Sequence, residues 1–235
     1  MARQLIRRHG SIVRLTHWAN ALALLLLLMS GLQIFNAHPA LYWGVRSTFA
    51  EPWLAIKGGF PHWATLPGYK SLGDGRMWHF FFAWAFVVNG LLYLASGVLS
   101  GHIRRDLLPT REQLSPRHVW HEIATHARLQ FPKGEAARRY NVLQKGAYLA
   151  VILLFLPLML VTGLCMSPGF NAVIPWLPDL LGGRQSARTL HFLSAAVIVA
   201  FVVVHLVMVV ASGLWNNLRS MITGRYAIEV EEGGR

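Results

Sequence analysis

TLHFLSAAVIVAFVVVHLVMVVASGLWNNL, residues 189–218, decides the fold. The run holds no Asp, Glu, Lys or Arg and is long enough to cross a bilayer, yet it carries two imidazoles, His191 and His205. Fourteen residues separate them. On an α-helix that is an advance of about 21 Å and nearly four whole turns, so both rings leave almost the same face at different depths. An imidazole turned toward lipid is costly, which directs both rings into a helix bundle where each needs a partner.

The composition agrees with a membrane protein. Hydrophobic residues make up 54% of the 235 and charged ones only 14%, and the mean hydropathy is positive, too apolar a balance for a soluble domain. The net charge of +12 comes from basic residues between apolar runs, not from a patch interleaved with aromatics, so nucleic acid is excluded as a partner. Cys165 is the single cysteine, which rules out an internal disulfide, a thiolate metal cluster and a covalent C-x-x-C-H haem attachment.

Four spans follow from hydropathy, at about 15–35, 77–101, 146–166 and 189–215, and predict an all-α integral membrane protein forming a four-helix bundle. One membrane domain over residues 1–235 is the simplest count. The first span follows Arg7-Arg8 but exceeds the length of a signal-peptide core and lacks a small-residue cleavage site, so it is expected to be retained. Sixteen of the 22 Lys and Arg fall before span one, between spans two and three, or after span four. Both termini and the middle loop are therefore expected in the cytoplasm, as in a multi-pass protein of the bacterial inner membrane. The first outer loop, rich in Trp, Tyr, Pro and Gly, suits the membrane interface or a docking surface. Leu28-Met-Ser-Gly-Leu32 in span one is weakly echoed by Leu160-Val-Thr-Gly-Leu164 in span three. Glycines at matching depth would let a backbone approach a flat cofactor.

Two further histidines complete a pattern. His17 lies near the cytoplasmic end of span one and His79 near the outer end of span two, level with His205 and His191 respectively. Facing neutral imidazoles in a bundle core are what a six-coordinate haem b iron needs, and the two pairs predict two non-covalent haems. Arg14, Arg76 and Arg188 each precede one of these histidines by three residues, at the membrane edge where haem propionates would end. A guanidinium pairs with a carboxylate in a bidentate way, although such arginines also serve as anchors flanking a span.

These residues carry a resemblance. Arg14-Leu-Thr-His17-Trp18, His79, the His191/His205 pair and Arg219-Ser-Met-Ile-Thr-Gly224 resemble the bacterial di-haem cytochrome b561 family, with the b-type subunits of nickel-iron hydrogenases, formate dehydrogenases and thiosulfate reductases. The resemblance covers all four spans and implies an electron carrier of the respiratory chain, passing electrons between a quinone and a partner oxidoreductase. Tyr140-Asn-Val-Leu-Gln-Lys145 is similar to the formate dehydrogenase stretch whose asparagine lies at the quinone pocket, which marks Asn141, while Gln144, one turn on, offers a second neutral amide. Asn141 is equally placed to cap a helix. The outer loop and residues 104–113 depart from the hydrogenase subunits, favouring a periplasmic molybdenum-type partner over a hydrogenase. A free-standing quinone-linked enzyme such as a superoxide oxidase, and a histidine-relay transporter, are the rival classes. His118, His121 and His126 lack a completing thiol or carboxylate and read as a solvated or interfacial helix face, and His9, His38, His62 and His102 lie outside the hydrophobic depth.

Overall fold

The computed structural model describes residues 2–128 and 140–230. Four helices long and apolar enough to cross a membrane run over Ser11–Asn36, Leu72–Leu99, Val142–Met166 and Arg184–Ala211, making the chain an all-α, multi-pass membrane bundle. Few of their side chains are sealed from the outside. Leu15, Leu22, Phe81, Trp84, Leu91, Val203 and Val207 are exposed, an apolar surface that only lipid would cover without cost.

Three helix ends differ from the expectation of hydropathy for a local reason. Span two starts at Leu72, a turn and more before the apolar run, because the Ser71 hydroxyl accepts from the Asp74 amide and sets an acid in the first turn, where the helix dipole favours it. Span three starts at Val142 behind the Asn141 cap. Within it, Val151–Phe155 forms a π-helical turn just before Pro157, whose ring has no N–H to give and would crowd the carbonyl four residues back; widening the turn relieves that conflict. Span four ends at Ala211 because Gly213 takes φ 111°, and a short amphipathic helix, Leu214–Thr223, leaves in a new direction.

The chain divides into two compact units. One comprises the described residues of Met1–Trp18, Gly90–Val151 and Ala200–Arg235. Its organising feature is an antiparallel pair, β1 (Ala2–Arg7) and β4 (Arg225–Val230), in which Arg7 faces Arg225 and Gln4 faces Ile228. Ile228 is buried, and the Asn216 side chain both donates to the Ala227 carbonyl (2.9 Å) and accepts from its amide (2.9 Å). Gly224 turns the chain from helix to β4 at φ 81°, and a Cβ there would stand 2.9 Å from the His9 carbonyl. Only glycine fits.

The other unit comprises Ala19–Asn89 and Ile152–Val199. It holds the first outer loop, which is irregular but ordered, with the short pair β2 (Ala40–Leu41) and β3 (Leu54–Ala55). Helix-end side chains hold its backbone: Asn36 brackets Phe60 (2.8 and 2.6 Å), Gln33 donates to the Tyr69 carbonyl (2.6 Å) and Thr189 to that of Tyr42 (2.7 Å). Leu41 and Tyr42 are buried there, while Trp43, Phe49, Trp53 and Trp63 stay exposed.

Candidate functional site

The second unit brings His79 and His191 together, ring centres 6.3 Å apart and planes inclined at 63°. A metal–imidazole bond is about 2 Å, so two rings bound on opposite sides of one ion have centres roughly 6 Å apart. The protonation of both rings follows from their neighbours. His79 Nδ1 lies 3.1 Å from Ser30 Oγ and 3.2 Å from the Leu27 carbonyl, and His191 Nδ1 lies 3.0 Å from Thr162 Oγ1. Ser30 already donates its single hydroxyl hydrogen to the Leu26 carbonyl (2.7 Å), and Thr162 donates its own to the Leu158 carbonyl (2.6 Å). Each hydroxyl can therefore only accept, so each Nδ1 carries the proton and each Nε2 keeps its lone pair. That is the tautomer a metal needs.

Gly31 and Gly163 follow these hydroxyl residues. A Cβ on either would fill the cradle beside the ring, 3.4 Å from His79 Cε1 or 3.5 Å from His191 Cε1. The motif Ser30-Gly31 in span one thus treats His79 as Thr162-Gly163 in span three treats His191. The glycines expected to admit a flat cofactor lie first against the imidazoles themselves.

The first unit brings together His17 and His205, ring centres 6.4 Å apart and planes at 54°. Their surroundings are of another kind. His205 stacks on Phe201 (6.0 Å, 18°), Trp18 meets His17 edge-on (5.3 Å), and His17 Nδ1 has no hydrogen-bond partner among the described residues. Trp18 is in turn fixed by donation to the Met221 carbonyl (3.1 Å). The donor set at both places, two neutral imidazoles on apolar helices, fits haem b.

The three arginines have distinct neighbours. Arg14 donates to the Ile222 carbonyl and keeps a buried Nε that finds no partner among the described residues, an orphan a carboxylate would satisfy. Arg188 donates to the carbonyls of Ala40 (3.0 Å) and His38 and lies over Phe35, so it also staples the outer loop. Arg76 is exposed and lies over the Phe80 ring, 5.6 Å from its centre.

Asn141 and Gln144 lie together as a capping box: Asn141 Oδ1 accepts from the Gln144 amide (2.8 Å) and Gln144 Oε1 from the Asn141 amide (3.4 Å). The remaining Asn141 group, Nδ2, donates to His126 Nε2 at 2.9 Å. His126 therefore faces the marked asparagine, whereas the sequence assigned it only to a helix face. Beside them Tyr140 stacks on His9, its hydroxyl pKa raised by burial, and His9 is pushed down to about 4 by burial and the Arg8 charge. Lys145, which the sequence did not single out, is buried and donates to the Leu108 carbonyl and Gln113 Oε1, both at 3.1 Å. Among the described residues no group of three His, Cys, Asp or Glu side chains is arranged to hold a metal ion.

Four apolar spans carrying facing imidazoles define a multi-pass membrane cytochrome. Residues 8–224 match the model of the prokaryotic cytochrome b561 family, and the chain belongs to it. Membership makes it a haem-binding electron-transport protein of the membrane and implies haem b. A protein named as a protein-methionine-sulfoxide reductase subunit, YedZ1, from Azospira oryzae is 31% identical over 89% of this chain and 93% of its own. Proteins from Cupriavidus necator and Bradyrhizobium diazoefficiens, each named as a probable Ni/Fe-hydrogenase B-type cytochrome subunit, are each 26% identical. They cover 92% and 90% of this chain, and 80% and 82% of their own.

Proposed function

We propose that this chain is one membrane domain holding two haem b, ligated by His79 with His191 and by His17 with His205, and that it carries electrons between a quinone and a partner oxidoreductase. The observation that supports this best is the pair of imidazole separations, 6.3 and 6.4 Å, each matching two ligands on one iron. Haem b, when bound, supplies a one-electron couple. The chain's own residues hold and orient it: Ser30 and Thr162 direct two Nε2 lone pairs inward, and Arg14, Arg76 and Arg188 offer guanidinium hydrogens to propionates, Arg188 with those it does not spend on the loop.

The quinone belongs near Asn141 and Gln144, on the side assigned to the cytoplasm by the basic loops. To reach a quinone oxygen, Asn141 Nδ2 would turn from its present acceptor, His126 Nε2. Both termini lie on that side of the bacterial inner membrane, in keeping with the pairing of β1 with β4. The partner is a periplasmic molybdenum-type oxidoreductase rather than a hydrogenase. The higher identity to the relative named as a reductase subunit supports that order.

A pyridine haemochrome assay tests the core of the reading and should give two haem b per chain. One haem or none would refute it. Stoichiometric copurification with a second protein is expected; a chain that purifies alone and reduces quinone with a small reductant such as superoxide would be a free-standing oxidoreductase instead.

A further inference from the structure

We infer that Ser30 and Thr162 are positioning residues that lower the reduction potential of one haem and leave the other untouched. The inference rests on the ligand assignment just proposed and goes beyond it. Each hydroxyl accepts from the Nδ1–H of one ring of the His79/His191 pair, at 3.1 and 3.0 Å, with its own hydrogen committed to its helix at Leu26 or Leu158. Both residues are wholly buried, so the geometry is not shared with water. An imidazole that gives up part of its Nδ1–H becomes the more basic ligand at Nε2, and a more basic ligand favours the higher oxidation state of its metal.

Among the described residues no hydroxyl holds either ring of the other pair in this way. His17 Nδ1 has no partner among the described residues and His205 lies against the Phe201 ring, which accepts no such bond in its plane. The asymmetry is therefore written into spans one and three by two short copies of the same device, a hydroxyl residue followed by glycine. The hydroxyl holds Nδ1 and the glycine leaves room for the ring edge.

The test is a redox titration of purified, haem-loaded protein carrying Ser30→Ala and Thr162→Val together, followed by its low-spin EPR spectrum. The Leu27 carbonyl still accepts from His79 and the Met159 carbonyl from His191, so the loss is partial at both rings. The reduction equilibrium of one haem should shift about threefold toward the reduced form, which is about 30 mV upward at 59 mV per tenfold for one electron. The second potential should stay, and the EPR change should be confined to the same haem. The exchange Ser30→Thr with Thr162→Ser keeps both hydroxyls and should restore both wild-type potentials. Thr162→Val alone, which is nearly isosteric, should give part of the shift if the double variant does not assemble. Two retained haems with unmoved potentials, or equal shifts in both, would overturn the inference while leaving the ligand assignment standing. Wild-type protein without two haems would remove both.

Discussion

A histidine in a membrane span has to be explained by what surrounds it, and the four here divide by their neighbours. His79 and His191 have their Nδ1–H groups engaged, whereas His17 and His205 rest among aromatic faces. If the pairs ligate separate haems, His79→Ala or His191→Ala should remove mainly one, and His17→Ala or His205→Ala mainly the other, seen as two distinct half-losses in the reduced-minus-oxidised spectrum. Loss of the same haem from His17 and His79 variants would break the pairing. The proposed quinone residues need a subtler change, because Asn141 is also the cap of span three. Asn141→Ser keeps an oxygen for the Gln144 amide but withdraws the amide donor. Both haem spectra should survive while electron exchange with quinone weakens several-fold, the scale of a lost hydrogen bond of about 0.5–1.5 kcal/mol. Wild-type exchange in that variant would move the pocket elsewhere.

At the scale of elements, the four spans and their histidine pairs were legible because hydropathy and helical spacing are local properties of the chain. The capping asparagine was legible for the same reason. What acts on the imidazoles was not. Ser30 and Thr162 stood out only as a faint repeat, since their meaning depends on rings 49 and 29 residues away. From sequence His126 reads as part of a solvated or interfacial helix face, because nothing in its own helix, Pro116–Ala127, points to Asn141. The strand Ala2–Arg7 was hidden in another way: its arginines read as a positive flank of span one, and its partner lies beyond all four spans. Where Gly224 meets the His9 carbonyl, the element boundary itself is testable. Gly224→Ala forces a Cβ into a left-handed turn and a backbone oxygen, at a cost of about 2 kcal/mol, and should lower the temperature at which the purified protein loses its haem. An unchanged transition would mean that the turn has slack.

Taken whole, the molecule is a bundle whose first and last described elements are strands of one sheet. A reporter fused before β1 and one fused after β4 should therefore read out on the same side of the membrane, which is the cytoplasmic side in the orientation proposed above. Opposite readings from the two fusions would contradict the four-span topology. The sheet also bears on how the protein is made. Arg7 leaves the ribosome well before Arg225 and cannot meet it until every span between them has been synthesised. Until then Ile6 and Leu5 have no partner strand, and Arg8, which later lies 4.4 Å over the Tyr226 ring, has only part of its final surroundings. The pairing is thus a clasp that closes only after the fourth span. A ribosome that stops short of β4 releases a chain able to enter the membrane but left with an open strand at its amino-terminal end, a ready mark by which quality control could tell an unfinished copy from a finished one.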